Sequence, residues 1–196
     1  MTAGARPFAE PHADLPELTI FRPRVFADAR GDFRELYRAE RYRAAGLDAA
    51  FVQDNLSRSH RGVLRGLHLQ YPNPQGKLVT VVEGAVLDVA VDVRRGSPTF
   101  GRSAAIELTA ENAEQLWIPP GFAHGFVVLS ETALFAYKCT AAYSAADELT
   151  VRWDDPALGI DWRVAAPVLS DKDAAAPTLA GIAPERLPPY DPPPAR

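Results

Sequence analysis

The stretch Lys77-Leu78-Val79-Thr80-Val81-Val82-Glu83-Gly84-Ala85-Val86-Leu87-Asp88-Val89-Ala90-Val91-Asp92-Val93 is rich in β-branched residues and is broken once, at Glu83-Gly84. In an extended chain Val86, Asp88, Ala90 and Asp92 share one face, while Leu87, Val89, Val91 and Val93 share the other. The spacing predicts strands over Lys77–Val82 and Ala85–Val93, with Glu83-Gly84 as a tight hairpin turn between them. Downstream, Arg94–Pro98 reads as a turn, and Ser103–Leu108, Gln115–Ile118, His124–Leu129 and Leu134–Cys139 repeat the strand pattern. From Phe51 to about Trp153 the chain is therefore a run of short strands between turns, which predicts an all-β barrel or sandwich.

Upstream, Leu18–Phe26 reads as extended, with Pro23 favouring a sheet edge. Arg30-Gly31-Asp32 is a turn, Phe33–Tyr37 a short strand, and Glu40–Ala45 a short peripheral helix stopped at Gly46. Residues 1–17, rich in Ala, Pro and acidic groups, read as a loose arm. Residues 18–180 form a single domain, and residues 181–196 a Pro-rich tail whose end is expected to be mobile. Five of the last ten residues are proline, and the sequence carries neither an internal repeat nor a second domain.

At 196 residues, 47% apolar and 23% charged, the chain has enough apolar side chains for one substantial core. A formal net charge of -4 gives no general reason to expect nucleic-acid binding. Cys139 is the single cysteine, so no intrachain disulfide forms. No apolar run approaches membrane-spanning length and no leader pattern is present, which makes a cytoplasmic protein the expectation.

Several polar residues stand on these strands. His68 lies in Val63-Leu64-Arg65-Gly66-Leu67-His68-Leu69-Gln70. Arg65 and His68 are three apart, so on a regular strand they face opposite ways; a bulge at Gly66 would turn both toward one cavity. Lys77 shares a face with Val79 and Val81, where an ammonium is costly unless compensated. His124 follows the rigid turn Pro119-Pro120-Gly121, and Tyr137 sits within Phe135-Ala136-Tyr137-Lys138-Cys139. Asp173 lies in Leu169-Ser170-Asp171-Lys172-Asp173. Each has a structural reading beside the chemical one: a rim or hydrogen-bonded histidine, an exposed lysine at a strand start, a core aromatic, a helix-capping aspartate. Asp88 and Asp92 read either as groups supporting a site or as exposed charges. Together the set offers a base, a cation and an acid for moving a proton beside a carbonyl.

Pro119-x-Gly121-x-x-His124 resembles the second signature of the cupin barrels, and Gly62-x5-His68 the start of the first. A metal-binding cupin supplies His-x-His followed by a glutamate, whereas Gln70, Gln75 and Lys77 occupy those places here. Two histidines beside an ammonium make a poor divalent-metal site, so no metal is expected. A longer resemblance covers Phe21 to Leu179. Val63–Gln70, Gln75-Gly76-Lys77-Leu78, Asp88–Asp92, Ser97-Pro98-Thr99-Phe100-Gly101, Gln115–Val128 and Leu169–Pro177 together resemble the dTDP-4-dehydrorhamnose 3,5-epimerase family.

That resemblance implies a cupin-like jelly roll with a few short peripheral helices, and an isomerase acting on a dTDP-4-keto-6-deoxyhexose without a cofactor. It implies His68 as general base with Asp173 behind it, Tyr137 as the proton donor on the opposite sugar face, and Lys77 beside the C4 oxygen. Arg65 and His124 would line the sugar and diphosphate region, Gln53 and Asn55 the nucleotide side. Tyr143 would stack on thymine, with Glu148 and Lys172 as further binding groups. Phe26, Arg30 and Glu35 would reach the site from a partner subunit of a homodimer that exchanges its N-terminal strand. Two departures stand out: Leu69 and Ala142 replace aromatics frequent in the family. The competing readings are an epimerase acting at C3 alone, a metal-dependent cupin, and a sugar-binding barrel without catalysis.

Overall fold

The computed structural model describes residues 6–192. In chain order the strands are β1 (Ala9–Pro11), β2 (Thr19–Phe21), β3 (Val25–Asp28), β4 (Gly31–Arg34), β5 (Gln53–His60), β6 (Leu64–Gln70) and β7 (Lys77–Glu83). They continue as β8 (Ala85–Asp92), β9 (Ser103–Thr109), β10 (Gln115–Ile118), β11 (Phe122–Val128), β12 (Thr132–Cys139) and β13 (Glu148–Thr150). Two short helices, α1 (Ala39–Ala44) and α2 (Asp171–Ala174), are peripheral. A six-stranded sheet in the order β1-β2-β10-β7-β12-β5 packs on a five-stranded sheet in the order β13-β6-β11-β8-β9. The fold is all-β, as the strand periodicity predicts.

The hairpin expected at Glu83-Gly84 does not form. Strand β7 pairs with β10 and β12, while β8 lies in the other sheet between β11 and β9. Both strands are interior, and each has its two ladder partners within its own sheet. Gly84 makes the corner at φ +80°, where a Cβ would lie 2.1 Å from the Thr132 carbonyl oxygen. The crossing sets Val79 and Val81 opposite Val86 and Ala90 in the core between the sheets.

The other face of β8 is buried as well. Leu87, Val89, Val91 and Val93 pack with Leu158, Trp162, Leu179, Ile182 and Leu187 from the C-terminal segment. Each such aliphatic side chain removed from water stabilises the fold by about 1.5–3 kcal/mol. On the outer face of the larger sheet, Phe21, Tyr42, Leu47 and Leu78 gather Phe8, Tyr37, Phe51 and Trp117.

Residues 8–17 depart from the loose arm expected of residues 1–17. Strand β1 pairs with β2, and Leu15 is buried in the inter-sheet core. The segment shows no periodicity because β1 is a three-residue strand at the sheet edge, with Phe8 packing on the outer cluster and Leu15 in the inter-sheet core. Residues 181–190 form a docked tail: Leu187 is buried, the Arg95 N–H donates to the Pro188 carbonyl, and the Tyr190 N–H donates to the Arg95 carbonyl. Arg94 clamps both ends. Its guanidinium grips Asp92 and Glu17 and lies 4.9 Å from the Tyr190 ring centroid. Residues 1–5 and the expected mobile end, residues 193–196, lie outside the described residues.

Candidate active site

The site begins with an irregularity. Strands β6 and β11 pair His68 with His124, but Arg65 with Phe126, so the register slips between them. Gly66 occupies the slip at φ +134°, and a Cβ there would lie 2.5 Å from the Gly125 Cα. Glycine against glycine lets the two backbones approach. The result is that Leu64, Leu67 and Leu69 face the C-terminal layer while Arg65 and His68 both face the interior of the sandwich.

That interior holds a cavity of about 410 Å³ whose walls include Arg65, His68, Lys77, His124, Tyr137, Lys172 and Asp173. His68 Nε2 meets Asp173 Oδ1 at 2.6 Å. Asp173 is 105 residues away in sequence, carried by α2, whose N-terminus is capped by Ser170. Burial raises the Asp173 carboxyl; hydrogen bonding to His68, the His68 charge, Ser170 and the Gly66 backbone outweigh it and hold the group below the ordinary carboxylate value. With Nε2 engaged by the carboxylate, Nδ1 has no partner among the described residues and is the nitrogen free to take a proton.

Lys77 is almost fully buried at the start of β7 and makes no hydrogen bond or ion pair among the described residues. Burial pushes its pKa below the ordinary lysine value, opposed by Cys139, Asp88 and Glu148. Tyr137 projects from β12 into the same cavity, and its hydroxyl has no protein partner among the described residues. Burial first, and Cys139 second, raise the Tyr137 phenol, so it is protonated at neutral pH. His124 Nε2 lies 2.9 Å from Asp88 Oδ2, and its ring stacks over Phe135. Burial lowers the His124 pKa, opposed by the charge and hydrogen bond of Asp88. Arg65 is held at the mouth by a 3.1 Å bond from Nε to Ser59 Oγ.

A second lobe of about 240 Å³ shares His68, Lys77 and Tyr137 with the first, and adds Gln53, Asn55, Tyr143 and Glu148. Tyr143 Oη donates to Glu148 at 3.0 Å and Lys172 Nζ to the other Glu148 oxygen at 2.8 Å. Burial raises the Glu148 carboxyl, but those two hydrogen bonds and the Lys172 charge bring it below its ordinary value. His68, Lys77 and Tyr137 thus stand where the two lobes meet.

Phe26, Arg30 and Glu35 line neither lobe. The first two stand on the β3–β4 hairpin, which joins no other sheet among the described residues. Phe26 and Phe33 are exposed there, and Arg30 pairs with Asp28 on the hairpin itself. Glu35 pairs with Arg38 and Arg41. Sequence reasoning missed Ser57 and Phe135, both on the cavity wall. The two-residue alternation Gln53, Asn55, Ser57, Ser59 along β5 carried the signal for Ser57. Of the two readings of Asp88 and Asp92, the exposed one fails: both are fully buried, against His124 and Arg94 respectively. Among the described residues no three His, Cys, Asp or Glu side chains are grouped to hold a metal.

The family model described as dTDP-4-dehydrorhamnose 3,5-epimerase matches residues 12–181. A dTDP-4-dehydrorhamnose 3,5-epimerase of Pseudomonas aeruginosa is 55% identical over 161 residues, covering 81% of this chain and 89% of that protein. One from Neisseria gonorrhoeae is 53% identical over 85% of this chain, which spans only 51% of that longer relative. Among solved structures, the Legionella pneumophila dTDP-6-deoxy-D-glucose-3,5-epimerase in complex with dTDP-4-keto-L-rhamnose superposes with a TM-score of 0.90 at 50% identity, covering 93% of this chain and 98% of that one. A 3′-monoepimerase from Streptomyces bikiniensis in complex with dTDP-quinovose has a TM-score of 0.84 at 40% identity, with 92% of each chain covered.

Proposed function

Because the chain belongs to the dTDP-4-dehydrorhamnose 3,5-epimerase family, we propose that it inverts C3 and C5 of a dTDP-4-keto-6-deoxyhexose by proton abstraction and return. The observation that carries the chemistry is the His68–Asp173 contact of 2.6 Å, opening on a cavity also lined by Lys77 and Tyr137. Hydrogens on C3 and C5 flank the C4 ketone, so losing either yields an enolate. His68 Nδ1 takes the proton as the neutral imidazole. Asp173 holds the ring in the tautomer that leaves Nδ1 bare and stabilises the imidazolium that forms. Lys77, its ammonium paired with no carboxylate among the described residues, faces the C4 oxygen as negative charge collects there. Tyr137 returns its phenolic proton to the opposite face of the carbon, which produces inversion instead of simple exchange. The resulting phenolate and imidazolium reset through solvent.

Arg65 and His124 hold the sugar and diphosphate, with Lys172 and Glu148 at the cleft wall. Gln53, Asn55 and Tyr143 form the nucleotide side. The exposed β3–β4 hairpin supports a homodimer in which Phe26, Arg30 and Glu35 of each subunit complete the other's cleft. Light scattering is expected to return twice the chain mass. No described helix is long and apolar enough to cross a membrane, and the nucleotide-linked substrate and lone buried thiol favour a cytoplasmic enzyme.

The test is incubation with dTDP-4-keto-6-deoxyglucose in heavy water, followed by NMR. Deuterium at both C3 and C5 with inversion at both is the expected result, and no exchange at either carbon overturns the reading. The likeness to a 3′-monoepimerase motivates a second reading. Deuterium at C3 alone, with C5 unchanged, selects it.

A further inference from the structure

Gln70 closes strand β6 two residues beyond His68 and is 3% exposed. Both ends of its amide are committed. Nε2 donates to the carbonyls of Asn73 at 3.1 Å and Ala142 at 3.2 Å, and Oε1 accepts from the Ser144 backbone N–H at 2.9 Å. Ala142 and Ser144 flank Tyr143. Two more glutamines hold the same loop: Gln75 Nε2 donates to the Ala141 carbonyl at 2.8 Å, and Gln53 Oε1 accepts from the Tyr143 N–H at 2.8 Å. Residues 141–144, Ala-Ala-Tyr-Ser, have no large side chain that anchors them in the core, and the Tyr143 ring is 55% exposed. The loop is held by its backbone, through amide side chains reaching from strands and from the β6–β7 connection.

We propose that Gln70 is a positioning residue for nucleotide binding, fixing the loop that presents the Tyr143 ring to the base of the dTDP moiety. A flat ring held in place before binding spares the entropy of ordering it when the ligand arrives. Gln70 is the most committed of the three tethers, since one buried amide secures the residues on both sides of Tyr143. The inference rests on the reading of this lobe as the nucleotide side.

Gln70→Met keeps the length and removes all three hydrogen bonds. Gln70→Glu keeps an acceptor for Ser144 and sets a carboxylate against two carbonyls, so it serves if the first variant fails to fold by circular dichroism. Calorimetric titration with dTDP, and kcat and KM with the full substrate, are measured beside Tyr143→Ala. We expect both Gln70 variants to weaken dTDP binding and raise KM by about tenfold or more, the scale of one to two lost hydrogen bonds, while kcat at saturation stays within about threefold. Wild-type dTDP affinity in the Gln70 variants, with Tyr143→Ala weakened tenfold, overturns the role of Gln70 and leaves the nucleotide lobe standing. Equal losses in kcat and in binding overturn it too, because they would mark a general disturbance of the barrel. Wild-type affinity in Tyr143→Ala refutes the nucleotide reading itself and this inference with it.

Discussion

Asp173→Asn is the substitution whose effect follows most directly from the geometry. The carboxylate receives the His68 Nε2 proton at 2.6 Å and is almost fully buried. Asparagine preserves the shape and removes the charge. If its carbonyl faces His68, the tautomer survives but the charge-assisted part of the bond is lost, worth about 1.5–3 kcal/mol. At about 1.4 kcal/mol per decade this is about a 10- to 150-fold loss in kcat/KM. If its amide NH₂ faces His68, the proton is driven to Nδ1, the base is blocked, and the loss approaches about ten-thousandfold, as for the same change in a serine-protease triad. The expected window is therefore about 10- to 10,000-fold in deuterium uptake at C3 and C5, followed by NMR. The affinity for dTDP alone is expected to stay within about threefold, because Asp173 borders the sugar lobe and not the Tyr143 lobe. Stability gives an independent readout. The folded carboxyl is held below its unfolded value, so its contribution is present above about pH 4 and disappears as pH falls through the depressed value. The wild type thus exceeds the variant in thermal stability at pH 7, and the gap closes at low pH. Deuterium uptake in Asp173→Asn within threefold of wild type would refute the role of the dyad.

His68→Ala is expected to cost at least about a hundredfold in turnover, the usual scale for a general base; near-normal turnover by NMR would reject it as the base. Tyr137→Phe is expected to retain solvent exchange of substrate hydrogens better than net inversion at C5, and equal loss of both would count against the donor role. In the proposed mechanism Lys77 acts as the ammonium, and burial lowers its pKa. Activity is therefore expected to fall as pH rises through a value below that of ordinary lysine, while Lys77→Arg, lower in kcat, carries its activity to higher pH; a profile that ends at the same pH in both proteins would exclude Lys77 as the titrating group. Gly66→Ala forces a Cβ to 2.5 Å from the Gly125 backbone at φ +134°. It is expected to destabilise by about 3 kcal/mol or more, read as a lower denaturant midpoint, and an unchanged midpoint would show that the bulge tolerates a side chain.

Much of this protein was legible in the order of its residues. Two-residue alternation identified the strands because side chains on an extended chain alternate between faces whatever the topology. Gly66 between Arg65 and His68 announced the bulge because three-residue spacing sends two polar groups to one side only if the ladder slips. The long motifs around His68, Lys77 and His124 placed the chain in its family. Local pattern is silent, however, on which strand pairs with which. Glu83-Gly84 has the composition of a hairpin turn and is instead a corner between sheets, because strand partners are selected over the whole barrel: β7 takes β10 and β12, while β8 takes β11 and β9. Leu15 stood in an expected loose arm and Leu187 in an expected Pro-rich tail; both are buried, because the chain ends help cover the apolar faces that the sheets leave. Asp173 and His68 meet across 105 residues, and Phe26 and Arg30 stand away from the cleft on a hairpin of their own. Local order along the chain determined what each strand is and which groups it carries. Contact between distant segments depends on how buried surface and hydrogen bonding are satisfied over the whole barrel at once, and only the tertiary structure decided that.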